Sequence, residues 1–236
     1  RLWELHRATA VGEVVAVDLG SVIDPQRRAD LIMGGGFEPA GMRERAAESG
    51  SSGRLESASS GPAGATRLRR CRTVADTVGA DLTLLCVGLN PSLYAADAGV
   101  GFARPGNRFW PAALAAGIVS VDRDPAHALD AHHVGMTDLV KRATARADEL
   151  DPQEFVVGLA RLVRLCEWLR PRAACVLGLT GWRAATGSRR VEAGWQSTML
   201  GGTPVYVMPN PSGLNARVPV AALADHLRVA AAGAPA

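Results

Sequence analysis

Three short, continuous apolar runs constrain the fold of this chain more than any other feature. They occupy residues 82–87, 172–178 and 204–208. Runs of this length are typical of strands that are buried on both faces of a parallel sheet. They fall well below the roughly 18 apolar residues that a membrane-spanning helix requires. The sequence therefore predicts a central, mainly parallel sheet.

Helical patterns separate these runs. They cover residues 107–116, 125–132, 151–169, 181–185 and 219–231, and a further short helix is expected at 73–78. The clearest begins at Asp151-Pro152, a pair that favours a helix start, and its apolar residues form one stripe at helical spacing. Helices that alternate with parallel strands cover both faces of the sheet. We therefore expect an α/β protein with three layers, α/β/α, around a central mainly parallel sheet.

Two Asn-Pro-Ser segments follow strands of the predicted sheet. They are residues 90–92 and 210–212. The carboxyl ends of parallel strands meet at one edge, where ligands bind in sheets of this class. A glycine-rich loop after the first segment carries Phe102. A polar Asn and an aromatic face at the same edge are suited to holding a flat, polar ligand.

Five segments together resemble the mismatch-specific uracil/thymine DNA glycosylases, within the uracil-DNA glycosylase superfamily. In chain order they are GLNP (88–91), GFARPGNRFW (101–110), GMTDLVKRAT (135–144), VLG (176–178) and MPNPSGLN (208–215). The resemblance spans residues 73–229. It implies a uracil-DNA glycosylase-like fold and an enzyme of base excision repair. Such an enzyme flips a damaged base out of DNA and hydrolyses its N-glycosidic bond. The favoured base would be uracil mismatched with guanine, with thymine or other damaged bases as further candidates.

The resemblance also assigns the catalytic residue. Asn90 would hold the attacking water through its side-chain amide, and Pro91 would stiffen the turn that aims it. Because an amide is a poor general base, catalysis would depend on positioning and on a good leaving group. Phe102 would stack on the flipped base. The neighbouring Phe109 and Trp110 are expected in the core.

Four further residues are expected in the base pocket: Ser92, Ala95, Asp138 and Thr144. Ser92 replaces the glycine that is usual in the family and adds a hydroxyl, whereas Ala95 leaves a small apolar site. Asp138 stands where relatives carry Lys or Asn. A carboxylate there can accept a hydrogen bond from a base N–H or orient the water, but it repels a carbonyl or a leaving anion. These departures leave the preferred base open.

The second Asn-Pro-Ser segment begins the loop that would face DNA. By the resemblance, its polar residues would meet phosphate, and Gly213 would let the backbone approach the orphaned guanine. Leu214 would enter the hole left by the flipped base. The expected DNA-binding set is Asn210, Ser212, Gly213, Leu214, Asn215 and Arg217.

Lys141 is the only lysine among the 26 Lys and Arg residues of the chain. A glycosylase that also cleaves the strand usually needs an amine in the pocket to form a Schiff base. If Asp138 faces the pocket from an extended segment, Lys141 faces the other way. We therefore expect a monofunctional enzyme that hydrolyses the bond and leaves an intact abasic site.

The sequence indicates no cofactor and no metal. The four cysteines form no CxxC pair, so we interpret them as small hydrophobic residues rather than as ligands of an iron–sulfur cluster. The five histidines are scattered. The net charge of +3 is too small to argue for nucleic acid by itself. We expect a monomer that binds damaged or mismatched double-stranded DNA and no membrane, in a bacterial-type cytoplasm near the nucleoid.

The chain is expected to have three parts. Residues 1–48 form an N-terminal segment whose element order loosely resembles the last part of an S-adenosylmethionine-dependent methyltransferase domain; an unrelated extension is the alternative. Residues 49–72, rich in Ser, Gly and Ala, read as a flexible linker that ends in a basic cluster at 67–72. Residues 73–236 form the glycosylase domain.

Two other classes of function remain open at this point. One is a module that flips and holds a damaged base without cleaving it. The other is an unrelated small-molecule enzyme that uses the same sheet edge. Within the glycosylases, specificity for a deaminated purine is an alternative to uracil.

Overall fold

The computed structural model describes residues 1–20, 22–41, 65–215 and 218–234, and it contains two sheets. In chain order the elements are α1 (Leu2–Ala8), β1 (Val14–Val17), α2 (Pro25–Gly34), β2 (Phe37–Pro39), β3 (Thr66–Arg70), β4 (Leu84–Gly88), α3 (Leu93–Ala98), α4 (Phe109–Ala116), α5 (Pro125–His132), β5 (Val134–Asp138), α6 (Pro152–Leu169), β6 (Ala174–Leu177), α7 (Leu179–Thr186), β7 (Gly194–Trp195), β8 (Val205–Met208) and α8 (Val220–Ala232). Short 3₁₀ turns lie at Ala147–Glu149 and Gly213–Asn215.

The larger sheet has five strands in the order β5-β4-β6-β8-β7. Neighbouring strands from β5 to β8 are parallel, and only the edge strand β7 is antiparallel to its neighbour. The three apolar runs of the sequence are β4, β6 and β8, and every residue of these strands is buried. Burial on both faces explains why these strands are apolar throughout rather than alternating. The predicted mainly parallel sheet is confirmed.

Helices cover both faces of this sheet. On one face, Leu84 and Cys86 of β4 pack with α4 and α8, whose Trp110 and Leu227 are fully buried. On the other face, Leu85 and Val87 of β4 pack with α6 and α7. Alternate residues of one strand thus enter two separate cores. This is the expected three-layer α/β/α architecture.

Two local predictions differ from the structure. Residues 73–78 form no helix; instead Thr77 pairs with Met136 beside β5, and Asp76 is buried. Conversely, α3 follows directly after the first Asn-Pro-Ser segment, where only a loop was expected. The Ser92 hydroxyl accepts a hydrogen bond of 3.1 Å from Ala95 N and so caps α3. A helix of six residues is too short to show a clear apolar period.

Strands β1 and β2 of the N-terminal segment form, together with β3, a three-stranded antiparallel sheet in the order β1-β3-β2. Its small core consists of Ile32, Phe37 and Leu68. Strand β3 lies within the basic cluster, so for residues 66–70 the expectation of a flexible linker is wrong. Of the other residues in the predicted linker, 65, 71 and 72 are described. Residues 49–64 lie outside the described part of the chain. Composition could not reveal β3, because its stability comes from pairing with two strands that are distant in sequence. The methyltransferase resemblance of residues 1–48 stays a prediction.

Charged contacts join this N-terminal sheet and its helices to the three-layer part. Asp30 of α2 accepts two hydrogen bonds from Arg164 of α6, at 2.6 and 2.9 Å. Arg72 donates two hydrogen bonds to Asp97 of α3, at 2.7 and 2.6 Å. The backbone of Gly34 approaches so closely that a Cβ there would lie 2.5 Å from a carboxylate oxygen of Asp76. The N-terminal segment therefore packs directly on the larger part of the chain.

Candidate active site

A cavity of about 630 Å³ opens at the carboxyl edge of the parallel sheet. It lies where the segments after β4, β5 and β8 meet, as expected for the two Asn-Pro-Ser segments. Eight of the residues predicted for the site line it: Asn90, Ser92, Ala95, Phe102, Asp138, Thr144, Asn210 and Ser212. Residues from three strand ends and one loop are thus brought to a single cavity.

The segment after β4 is held against the segment after β5 by backbone hydrogen bonds. Leu139 N donates to Gly88 O at 2.8 Å, Val140 N to Leu89 O at 2.9 Å, and Thr144 N to Pro91 O at 3.1 Å. These bonds continue the β4–β5 pairing beyond the ends of the strands. They place Thr144 beside Asn90 despite the distance between them in sequence.

Asn90 is oriented by three hydrogen bonds from its side-chain nitrogen. Nδ2 donates to Thr144 Oγ1 at 2.8 Å, to Arg142 O at 3.0 Å and to Pro91 O at 3.3 Å. All three acceptors are oxygen atoms, so the atom of the Asn90 amide that faces them is the nitrogen and not the oxygen. Within the described part of the chain, Oδ1 accepts no hydrogen bond. The side-chain oxygen of Asn90, Oδ1, is therefore available to a molecule in the cavity.

Phe102 forms an aromatic wall of the cavity. Its backbone has a φ of 60°, an uncommon conformation for a residue with a side chain. Its ring packs on Phe109 with 4.3 Å between centroids, and Trp110 Nε1 donates to Gly101 O at 2.9 Å. Both supporting residues are fully buried, so their predicted core role is confirmed. The helix α4 thereby fixes the loop that carries Phe102.

Ser92 and Ala95 lie on the same side of the cavity. The Ser92 hydroxyl caps α3 and also lines the cavity, so one group serves helix geometry and pocket chemistry. Ala95 is 2% exposed, and it sits on the first turn of α3.

Asp138 ends β5 with its carboxyl group beside Gly88 and Phe102. A Cβ on Gly88 would lie 2.3 Å from Asp138 Oδ1 and 3.1 Å from Phe102 Cε1, so this close approach requires glycine. Burial raises the pKa of Asp138 to about 6, and nearby Asp76 adds to this, while Lys141 and Arg161 act in the opposite direction. Within the described chain, its carboxylate accepts no hydrogen bond. It is a carboxyl group with a raised pKa in the wall of the cavity.

A buried ionic cluster lies behind β5. Asp76 contacts both Lys141 Nζ and Arg161 Nη1 at 2.7 Å, and Thr137 Oγ1 donates to Asp76 Oδ1 at 2.7 Å. Burial alone would raise the pKa of Asp76, but the two cations outweigh it and hold that pKa below its usual value. Arg161 also donates to Asp138 O at 2.8 Å. The amine of Lys141 is therefore engaged in this cluster and does not line the cavity.

The loop after β8 closes the cavity on the remaining side. Asn210 Oδ1 accepts from Ser212 N at 2.9 Å, and Asn215 Nδ2 donates to Asn210 O at 3.1 Å. Gly213 lies against Gly106, whose carbonyl oxygen would be 2.9 Å from a Cβ on Gly213. Leu214 is part of the 3₁₀ turn, but its side chain lies outside the described structure, as does all of Arg217. The roles of this loop in DNA binding stay predictions.

Sequence reasoning missed several residues at this site. Arg104, Asn107, Arg146 and Asp148 line the cavity, and Arg108 donates to carbonyls of the loop after β8. Arg104, Asn107 and Arg108 all belong to the segment GFARPGNRFW, so the signal was present in that motif. Its polar residues received no role because nothing local shows which distant backbone they meet.

The described residues contain no group of three or more His, Cys, Asp or Glu side chains placed to hold a metal ion. Three of the four cysteines, Cys86, Cys166 and Cys175, are buried. No helix in the described ranges is long and apolar enough to cross a membrane. The residues that line the cavity carry amide, carboxyl, hydroxyl, guanidinium and aromatic groups.

The architecture and the cavity define an α/β/α protein with a candidate ligand site at the carboxyl edge of its parallel strands, where sheets of this class bind ligands. The family model described as the uracil DNA glycosylase superfamily matches residues 75–227, which include every cavity residue named above. The chain therefore belongs to the uracil DNA glycosylase superfamily. It is a DNA glycosylase, a hydrolase of N-glycosidic bonds that acts in DNA repair by base excision.

Proposed function

We propose that this protein is a monofunctional, mismatch-specific glycosylase that removes uracil from U:G pairs in double-stranded DNA. The observation that carries the proposal is the orientation of Asn90. Its nitrogen is bound to three protein oxygens, which turns its carbonyl oxygen toward the cavity. A carbonyl oxygen in that position can accept a hydrogen bond from a water molecule and fix its place.

The reaction needs a positioned water more than a strong base. As the bond between C1′ and the base breaks, its electron pair goes to the base and the sugar becomes cationic. The water oxygen then bonds to C1′ and releases its proton to solvent, so the products are the free base and an abasic site. An amide that holds the water, within a site of oriented dipoles, is sufficient for such a good leaving group.

The aromatic wall suits a base that has left the helix. Phe102 is held in place by Phe109, so a flipped base can stack on it without reorganising the loop. Stacking of this kind recovers part of the few kcal/mol that unstacking from the duplex costs. By the family resemblance we assign Leu214 the role of the wedge that fills the vacated space, and we assign contacts with the DNA to Asn210, Ser212, Gly213, Asn215 and Arg217.

The choice of base depends on Ser92, Ala95, Asp138 and Thr144. The imide edge of uracil or thymine and the lactam edge of hypoxanthine each carry an N–H that Asp138 can bind. Asp138 accepts this N–H when it is ionised, and it can also donate to a base carbonyl when it is protonated. We propose uracil as the principal base, with thymine in T:G pairs and deaminated purines as secondary candidates that the same experiment separates.

The test is base release from oligonucleotides containing U:G, U:A, single-stranded U, T:G or hypoxanthine, followed by alkali to cleave abasic sites. We expect the fastest release from U:G. Asn90→Ala should lower release about 10²-fold or more, a cost typical of removing one polar group that is positioned for the transition state, while sparing DNA binding. Gln26→Ala is the matched control, because it removes an exposed amide on α2 that is absent from the cavity lining.

Each outcome separates the proposal from its alternatives. Binding of uracil-containing DNA without release of any base would indicate a recognition module. Absence of both binding and release would contradict a role on DNA. Normal turnover by Asn90→Ala would refute the assignment of the water to Asn90, and a clear preference for hypoxanthine would move the substrate to the deaminated purines.

A further inference from the structure

Arg108 lies between the two loops that frame the cavity. It is the residue before α4, so it directly follows the loop that carries Phe102. Its side chain extends in the other direction, to the loop after β8. Arg108 is thus connected covalently to the base-stacking loop and by hydrogen bonds to the loop that faces DNA.

The hydrogen bonds of Arg108 go to four carbonyl groups of one short segment. Its backbone N donates to Pro211 O at 2.9 Å. Its Nη2 donates to Ser212 O at 3.1 Å and to Asn215 O at 2.6 Å, and its Nη1 donates to Val218 O. Both terminal nitrogens of the guanidinium are therefore used by the chain itself. Two of these carbonyls also accept a backbone N–H, Ser212 O from Asn215 N at 2.9 Å and Asn215 O from Val218 N at 3.4 Å, so Arg108 adds to the bonds of the turn itself.

We propose that Arg108 is a positioning residue that holds residues 211–215 and 218 of the loop after β8 in the shape needed to enter duplex DNA. The inference rests on the proposed function. A loop that replaces a flipped base must keep its shape while it is pushed between base pairs. Arg108 supplies that rigidity from inside the protein, and the guanidinium fork is what allows one side chain to reach three carbonyls at once.

Two features separate this role from a direct contact with phosphate. The guanidinium is partly buried, and Nε has no partner and no exposure to solvent. The terminal nitrogens already serve carbonyl oxygens at hydrogen-bonding distance. Three of the four terminal N–H groups are thus engaged, which leaves one N–H on Nη1 for any other acceptor. Arg104, which lies exposed on the cavity rim four residues earlier, has no such engagement through its side chain in the described structure.

The test compares Arg108→Lys with Arg228→Lys. Both changes keep the positive charge and remove the fork, and Arg228 also donates to a backbone carbonyl, Ala115 O at 2.6 Å, but on the remote helix α8. The measured quantity is the ratio of kcat/KM on duplex U:G to kcat/KM on single-stranded U. Because each ratio comes from one protein sample, loss of folded material cancels.

We expect Arg108→Lys to lower this ratio about 10-fold, the size of effect expected when hydrogen bonds from a charged donor are lost. Arg228→Lys should leave it unchanged. Hydrogen exchange of the peptide that covers residues 209–219 should become faster in Arg108→Lys and not in Arg228→Lys. The salt dependence of DNA binding should stay the same in both variants, because no phosphate contact is lost.

An unchanged ratio in Arg108→Lys, or unchanged exchange of residues 209–219, would overturn the inference. A shallower salt dependence would overturn it too, because it would make Arg108 a phosphate ligand. Absence of uracil release by the wild-type protein would instead overturn the proposed function, and the exchange comparison would still decide whether Arg108 holds the loop.

Discussion

The Nδ2 atom of Asn90 lies 2.8 Å from Oγ1 of Thr144, its closest hydrogen-bond partner among the described residues. These residues follow β4 and β5, and the continued backbone pairing of the two segments brings them together. Thr144 also lines the cavity. Thr144 therefore acts on the proposed chemistry through the direction in which Asn90 points.

We expect Thr144→Val to lower kcat for uracil release about 10-fold, since one hydrogen bond that orients Asn90 is lost. KM should change little, because Asn90 positions water rather than DNA. Thr144→Ser keeps the hydroxyl and should stay close to wild type. Steady-state kinetics on single-stranded U measures the effect, and an equal loss in the Val and Ser variants would contradict it.

The pKa of Asp138 makes the stability of the protein depend on pH. Because burial raises this pKa to about 6, the folded state binds a proton that the unfolded state releases near pH 4. The cost of the buried carboxylate is therefore absent below about pH 4, grows as pH rises and is complete above pH 6. From the usual value of 3.8, the shift corresponds to about 3 kcal/mol.

Asp138→Asn removes this cost. The difference in free energy of unfolding, variant minus wild type, should grow as pH rises. We expect it to increase by up to about 3 kcal/mol from about pH 4 to pH 7.5. Urea denaturation at several pH values measures it. The control is Asp122→Asn, an exposed carboxylate paired with Arg123. A stability difference that did not change with pH would show that Asp138 does not titrate in this range.

Replacement of Phe102 should weaken recognition of the flipped base. Phe102→Leu keeps a side chain at the positive φ of this position, so backbone strain is matched while the flat face is lost. We expect kcat/KM on uracil-containing DNA to fall about 5- to 100-fold, because stacking of a base on an aromatic ring contributes about 1–3 kcal/mol. Binding of undamaged duplex should be unaffected, and a similar loss there would point to a general effect on the DNA surface.

Lys141 should not form a covalent intermediate. Its side chain is 7% exposed and its amine contacts Asp76 at 2.7 Å, within the cluster behind β5. Treatment with borohydride during turnover should therefore trap no protein–DNA complex. A trapped complex that disappears in Lys141→Met would show that the enzyme also has lyase activity. The Met variant itself should lose stability, because it leaves part of a buried charge cluster unpaired.

Lys141 lies away from the cavity, as the sequence predicted, but for a different physical reason. Alternation along an extended segment placed Lys141 away from Asp138. In the structure β5 ends at Asp138, and the direction of Lys141 is determined by its ion pair with Asp76. Asp76 itself was assigned to a helix that does not form. A buried partner that is distant in sequence leaves no local pattern.

Local patterns in the sequence determined the elements that depend on local interactions. The apolar runs identified β4, β6 and β8, and Asp151-Pro152 identified the start of α6, because burial on both faces and helix capping both leave short-range signals. The motif segments determined the family and most of the cavity lining.

Only the tertiary structure decided how the polar atoms are used. It directed the amide of Asn90, raised the pKa of Asp138, built β3 from a basic cluster and placed the guanidinium of Arg108 on the loop after β8. Each of these depends on atoms that are far apart in the chain and become neighbours only on folding. Hydrogen-bond partners and burial belong to the packed molecule, so no spacing along the sequence could supply them.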